Sequence, residues 1–329
     1  MELSQVAVMQ RARPMTHLRV FVAAALSLFA VGGLMVADEA VGSSGASGQA
    51  LATVKFVDVG QGDGVVMRVG SQIIVSDAGE LNPQNVDAAL HEVGAKRIDV
   101  AILTHPHKDH VKNFLDLLEI YDWPITTAVL SHSAHWQETK NNKLLLKTLG
   151  AHHVKLTYVT SGDRFTWGGA SWEILSPPAN RYTESFQAAN SSVVYVLRVK
   201  GVEFLFTGDI GPPVAGEVAD RWTAEHLGRA SVFLATHHGS ATGSTPQLLA
   251  AIKPIWAVLS TGPNTYKHPS PMTIARLEGA GASIWCTAVN GTITARVSSS
   301  GRLSLQASRQ PTPWWSASKH RETGLCVGR

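Results

Sequence analysis

The residues best equipped for chemistry lie together in Thr104-His105-Pro106-His107-Lys108-Asp109-His110. His105, His107, Asp109 and His110 can each bind a metal, and all four fall within six residues. His105 and His107 are two apart, so in an extended segment both side chains leave on the same side. Asp109 and His110 follow at a first helical turn, where the chain bends back over the strand end. Four such ligands can surround a volume large enough for two divalent cations. Imidazole nitrogen with carboxylate oxygen suits zinc best, with manganese or iron as alternatives. A His-rich loop that merely caps a helix with Asp109 is the competing reading. Two histidines alone would be weak evidence against it, but His-x-His-x-Asp-His directly after a buried strand is specific.

The neighbouring sequence sets this motif at a strand-to-helix junction. Val100-Ala101-Ile102-Leu103 reads as a short buried strand. Val111, Phe114, Leu115, Leu118 and Tyr121 then recur at helical spacings. Two other strand ends carry candidate ligands. Phe204-Leu205-Phe206-Thr207 runs into Gly208-Asp209, where a carboxylate can bridge two cations with one oxygen to each, or cap the next helix. Residues 231–235 run into Thr236-His237-His238-Gly239-Ser240, and Gly239 and Ser240 leave room for a substrate. Adjacent residues of a strand face opposite ways. One of the pair is therefore expected to bind metal, with His238 as ligand and His237 facing substrate or supporting it.

Strands are expected at 53–59, 65–69, 72–75, 126–131, 154–159, 172–175, 192–199, 202–207, 255–260, 284–287, 292–297 and 301–306. Helices are expected at 85–93, 140–149, 217–226, 246–252 and 273–279. Residues 179–189 read as a surface loop. The pattern of strands and helices recurs roughly twice, as two stacked β-rich halves would require. With 329 residues and 44% hydrophobic content there is ample core for one large domain. Charged residues are only 16% and glycine is plentiful, which disfavours a helical bundle. The net charge of +3 is spread out, and no Lys/Arg run marks a nucleic-acid groove. An anionic substrate stays open, because a metal pair supplies its own positive charge. Cys286 and Cys326 form no Cys-x-x-Cys pair, so a thiolate zinc site is disfavoured. One disulfide or two free thiols fit equally. No Gly-x-Ser-x-Gly elbow points to a serine nucleophile.

Arg11, Arg13 and Arg19 precede an uncharged apolar run of eighteen residues, 20–37. Residues 1–50 are read as a signal peptide or membrane anchor plus linker. Either places the catalytic domain, residues 51–308, outside the cytoplasmic membrane. Only the N-terminal segment would contact the membrane. Residues 309–329 are read as a flexible tail, and nothing in the sequence fixes the oligomeric state.

Residues 104–110 and Thr207-Gly208-Asp209 resemble the signature of the metallo-β-lactamase superfamily. The resemblance implies an α/β (α+β) fold, a four-layer αββα sandwich with a metal site at one edge of the two sheets. It implies a metal-activated water attacking an ester, amide or phosphate. It places Asp77 beside the metal loop, where its carboxylate orients the ligand imidazoles. Most of the superfamily carries a third metal-binding His about twenty residues before the bridging Asp. Here Asn190 stands nineteen before Asp209. The first metal would then be held by His105, His107 and Asp209, with water or a loosely bound Asn190.

Asp58-Val59-Gly60-Gln61-Gly62-Asp63, His237-His238-Gly239-Ser240 and Asn264-Thr265-Tyr266-Lys267-His268-Pro269 narrow the resemblance. Over about residues 54–294 they resemble the ComEC-type hydrolase domain of bacterial DNA-uptake channels, in a stand-alone relative without the polytopic membrane region. Lys112-Asn113 replaces the usual Gly-Gly after the motif, and His107 stands where the channel domains often have Asp. Asp58 and Asp63 are expected to support the site, Asp63 at the cleft floor. Asp109, His237 and His268 are the expected catalytic groups, with His268 reaching the substrate or leaving group. The expected function is a metal-dependent phosphodiesterase or nuclease acting on DNA or another phosphodiester. A lactonase, thioesterase or β-lactam hydrolase is the alternative within enzymes. A metal- or DNA-binding module with little turnover is the alternative outside them.

Overall fold

The computed structural model describes residues 50–179 and 188–309. The apolar run at 20–37, most of the 179–189 loop, Trp314-Trp315 and Cys326 lie outside these residues. The chain divides into two units, Met1–Ser47 and Gly48–Arg329, and all described residues belong to the second.

In chain order the first half gives β1 (Ala52–Phe56), β2 (Gly64–Val69), β3 (Gln72–Ala78), α1 (Pro83–Glu92), β4 (Ile98–Ile102), α2 (Lys108–Val111), α3 (Asn113–Glu119), β5 (Ile125–Ser131), α4 (Lys140–Ala151) and β6 (Lys155–Val159). The second half gives β7 (Arg164–Trp167), β8 (Ala170–Ser176), β9 (Val194–Val199), β10 (Val202–Phe206), α5 (Pro212–Ala224), β11 (Val232–Leu234), α6 (Pro246–Ile252), β12 (Trp256–Leu259), α7 (Pro271–Gly279), β13 (Ser283–Cys286), α8 (Thr287–Asn290), β14 (Ile293–Val297) and β15 (Leu303–Ala307). Eight strands form one sheet in the order β15-β14-β1-β2-β3-β4-β5-β6. Seven form the other, in the order β13-β12-β11-β10-β9-β8-β7.

Side-chain alternation builds the layers. On β10, Phe204 and Phe206 point into the core between the sheets while Leu205 points outward to a helical layer. On β9, Tyr195 and Leu197 face inward and Val194 and Val196 outward. Phe206 is the hub of the inner core, with its ring centroid 6.2 Å from Phe56 of the opposite sheet and 4.7 Å from Tyr195. Outside the first sheet Leu90, Phe114 and Leu145 come from α1, α3 and α4; outside the second Val218, Leu248 and Leu277 come from α5, α6 and α7. The result is the expected αββα sandwich.

Apart from β1–β14, the antiparallel pairs join strands consecutive in the chain, while β3 to β6 and β10 to β13 run parallel. Parallel neighbours need crossover connections, which the helices supply. Asp77 therefore sits at the carboxyl end of β3, and the loops of His105, Asp209, His237-His238 and His268 follow the carboxyl ends of β4, β10, β11 and β12. All five positions collect at one edge of the sandwich, where open α/β sheets place their ligands.

Three sequence expectations need adjustment. β7 is absent from the expected strands because it is an edge strand with half its residues exposed, so its apolar signal is thin. Helix α5 starts at Pro212, five residues before the expected 217, because proline in the first turn is pre-organised for a helix. The halves are not cleanly sequential, since β14 and β15 return to the first sheet and pair beside β1.

Replacing the Phe206 ring should leave a cavity that both sheets border. Phe206→Ala is expected to cost about 3–5 kcal/mol of unfolding free energy in a urea titration followed by tryptophan fluorescence. A loss below ~1 kcal/mol would contradict the placement of this ring as the core hub.

Candidate metal centre

Asp77 fixes the metal loop to the strand beside it. Its Oδ1 accepts from the Thr104 N–H at 2.9 Å, and its Oδ2 accepts from the Thr104 hydroxyl at 2.7 Å. Oδ2 also accepts from His110 Nδ1 at 2.8 Å. Asp77 does this from a left-handed backbone, φ 51°, and is fully buried, so burial pushes its carboxyl up against the pull of His110. Asn113 sews the same loop from the other side: its amide donates to the carbonyls of Ala78 and Leu81. Sequence reasoning missed Asn113, whose one signal is a polar residue at a buried position of the helix start.

Donor atoms gather around the Asp209 carboxylate in two groups. His105 Nε2 lies 3.6 Å from Asp209 Oδ2 and 3.1 Å from His107 Nδ1. His110 Nε2 lies 3.3 Å and His238 Nε2 3.4 Å from Asp209 Oδ1. These two imidazole nitrogens are 3.2 Å apart, and Asp109 Oδ2 is 3.5 Å from His238 Nε2. Zinc–ligand bonds of about 2.0–2.1 Å place tetrahedral donors ~3.4 Å apart. The observed spacings match that edge length, so the residues fit two cations sharing Asp209. One orphaned atom agrees with this fit. Asp209 Oδ1 is buried and makes no hydrogen bond among the described residues, although two imidazoles flank it.

Both imidazoles of the second group have an acceptor behind them. His110 gives its Nδ1–H to Asp77, and His238 Nδ1 lies 3.2 Å from Asp63 Oδ1 and 3.1 Å from the Ser260 carbonyl. Each ring thus keeps its proton on Nδ1 and turns Nε2 to the centre, the arrangement that orients ligating histidines. Asp63 lies within 4.8 Å of the same donors. Its oxygen is on the back of the His238 ring, however, whereas Asp109 is at the front.

His237 and His238 both take left-handed backbone, φ 52° and 53°. Each costs about 1–3 kcal/mol of strain. The strand rule of opposite faces does not apply there, and both rings turn to Asp209. His238 goes to the Oδ1 side, and His237 Nε2 lies 3.5 Å from Oδ2. His268 faces this pair with its ring centroid 5.3 Å from His237. Burial and the neighbouring histidines push His268 down to about 4, so its ring is neutral at physiological pH.

Two expected members stand apart. Asn190 is not among the donors: its Oδ1 accepts from the Gly211 N–H at 2.6 Å, which ties the start of α5 to the turn before β9. Asp58 pairs with Arg309 instead, while its carbonyl accepts from Asn85. The partner of Asp58 lies 251 residues away, beyond any local signal.

Charge within the centre is unevenly distributed. Burial alone would lower His110 and His238, but the carboxylates around them, chiefly Asp209, more than reverse this and hold both well above the usual imidazole range. Burial lowers His105, with the His110 charge acting the same way. Burial opposes ionisation of Asp109 and Asp209, yet His238 and His110 keep both carboxyls low. The centre opens into a cleft of about 410 Å³ lined by Gln61, His107, Lys108, Asn141, Tyr266 and His268 among others. Gly62 packs against the Asp109 loop at φ 127°, and a Cβ there would collide with the Asp109 carbonyl oxygen.

The family model of the metallo-beta-lactamase superfamily matches residues 57–261. The chain is 25% identical over 245 residues to Competence protein ComA of Neisseria gonorrhoeae, covering 74% of this chain and 32% of that protein. It is 24% identical over 263 residues to ComE operon protein 3 of Bacillus subtilis (strain 168), covering 74% and 33%. The chain thus spans about a third of the length of these relatives. Among solved structures, a CmlA beta-hydroxylase mutant superposes with a TM-score of 0.50 at 15% identity, covering 74% of this chain and 54% of that one. That likeness concerns the fold.

Metal binding should displace protons. His110 and His238 hold protons above their ordinary range without a cation, and ligation needs both neutral. Calorimetry at pH 7 in buffers of different ionisation enthalpy is expected to show proton release on metal entry, with affinity falling as pH drops. Asp77→Asn should reduce the release, because His110 loses one of the charges that raise it. Binding without proton release would contradict this charge distribution. Gly62→Ala is expected to weaken metal affinity by about 10–100-fold, through displacement of the Asp109 loop.

Proposed function

The chain belongs to the metallo-β-lactamase superfamily, and we propose that it is a metal-dependent phosphodiesterase, a nuclease in the first instance, working with two divalent cations. The observation that carries this reading is the Asp209 carboxylate at the cleft floor, with imidazole nitrogens 3.3–3.6 Å from each of its oxygens. His105, His107 and Asp209 would hold one cation; Asp109, His110, His238 and Asp209 would hold the other. Zinc suits these donors, and manganese is the alternative. When bound, such a pair acts as a Lewis acid and makes hydroxide available near neutral pH.

The chain's own residues do the rest. Asp77 and Asp63 fix the tautomers of His110 and His238. Asp109 stays ionised and partly open to the cleft, so it can accept a proton from an attacking water. Neutral His268 can donate a hydrogen bond to charge developing on a phosphoryl oxygen, without itself being a cation. His107 and Lys108 line one wall, and Tyr266, 68% exposed, stands at the rim. Polar walls with one exposed aromatic ring suit a nucleic-acid strand whose bases stack while its phosphate reaches the floor. Similarity to two competence proteins supports DNA as that strand. The apolar run at 20–37 supports a catalytic domain outside the cytoplasmic membrane, exported or anchored.

Metal-loaded protein is expected to cleave single-stranded DNA or a chromogenic phosphodiester and to leave β-lactams and lactones intact. Asp209→Ala should lower that rate by about 10²–10³-fold or more and reduce the metal content. Hydrolysis of a β-lactam or lactone with no phosphodiesterase activity would overturn the substrate class. Full metal occupancy in Asp209→Ala would overturn the shared carboxylate.

A further inference from the structure

Residues 262–270, the loop between β12 and α7, bring Tyr266 and His268 to the cleft. One side chain closes this loop on itself. The Asn264 amide donates to the carbonyls of Gly262 at 2.8 Å and His268 at 2.7 Å, and its Oδ1 accepts from the His268 N–H at 3.1 Å. Both ends are tied to loops of the metal centre. Gly262 lies against the Gly60 backbone, where a Cβ would stand 2.7 Å from the Gly60 Cα. The Ser270 N–H donates to the Gly239 carbonyl at 2.8 Å, directly after His237 and His238. Lys267 takes a left-handed backbone, φ 61°, at the bend between the two rings.

The rings step outward from the floor. His237 Nε2 is 3.5 Å from Asp209 Oδ2. The His268 ring centroid is 5.3 Å from that of His237, and the Tyr266 centroid is 5.8 Å from that of His268. Tyr266 is inclined 31° to His268 and is 68% exposed. A ring left so open stabilises the fold little by burial, yet its loop is fixed by three hydrogen bonds of one amide. We infer that Tyr266, positioned by Asn264, is the base-stacking wall of a subsite for the nucleotide next to the scissile phosphate, and that this wall makes the cleft select unpaired over paired strands. This rests on the phosphodiesterase reading above and adds to it the form of the strand. Bases of a duplex are already stacked and paired, so offering one to Tyr266 costs unstacking, whereas a single strand presents a free base face. Stacking tolerates any base, so little sequence preference accompanies it.

The test compares metal-loaded full-length protein on a single-stranded oligodeoxynucleotide, on the same strand in a duplex, and on a strand of abasic residues. Wild type is expected to favour the first over each of the others by about tenfold or more in kcat/KM. Tyr266→Ala should lose about tenfold on the base-bearing single strand, mostly through KM, and far less on the abasic strand, with its metal content held. Tyr266→Trp should keep the preference, and Asn264→Ala should lose part of it without losing metal. A wild type indifferent to the bases, equal losses of Tyr266→Ala on base-bearing and abasic strands, or an undiminished single-strand preference in that variant would overturn the subsite and leave the phosphodiesterase reading standing. Wild type that cleaves none of the three would remove that reading and the subsite with it.

Discussion

Asp209 is a carboxylate with almost no solvent around it, at the end of a strand and inside a ring of imidazoles. An isolated charge so placed would cost several kcal/mol. The structure offsets that cost by converging nitrogen donors on both oxygens, and most of the architecture serves the convergence. Both sheets must end at the same edge for β4, β10 and β11 to deliver their loops to one point. The inner core must hold the sheets in fixed register, because donor spacings near 3.4 Å tolerate little sliding. Phe206, three residues before Asp209, contributes to both requirements.

A second ring of groups makes the first one usable. Asp77 binds the Thr104 backbone, the Thr104 hydroxyl and the His110 ring at once, so one buried carboxylate sets the loop and a ligand tautomer together. Asp63, in the loop before β2, backs the His238 ring alone. Strain accompanies the aim of these side chains: Asp77, His237 and His238 all carry positive φ without being glycine. The pinned loops, the buried hydrogen bonds and the aromatic core hold those conformations in place.

The motif residues were legible in the sequence because their chemistry depends on spacing along a strand end, and spacing is visible there. So was Asp209, at the end of an apolar run, while the αββα layers followed from the resemblance of these motifs to the metallo-β-lactamase superfamily. Two kinds of information were not. Side-chain direction at His237 and His238 depends on a left-handed turn that neither residue announces, so the alternation rule assigned them opposite faces. Long-range pairing was equally hidden: Asp58 is claimed by Arg309 and Asn190 by Gly211, and no local pattern marks either contact. Asn113 was passed over because a buried amide in a helix start looks like any other polar residue until its carbonyl partners are known.

The return of β14 and β15 to the first sheet has a kinetic consequence. β1 is hydrogen-bonded to β2 on one side and to β14 on the other, with Ala52 opposite Val297. Every donor of the centre, from His105 to His238, lies in the segment that this pairing encloses. For a chain that emerges from a ribosome or a pore N-terminus first, β1 must wait with an unpaired edge until nearly the whole domain has appeared. Such distant pairing is slow to form. The sandwich therefore closes last at the seam between its first and late strands, and a partly emerged chain lacks the brace that sets both sheets in register. A centre whose donors all lie between the two strands of that seam gains this brace only once both strands are present.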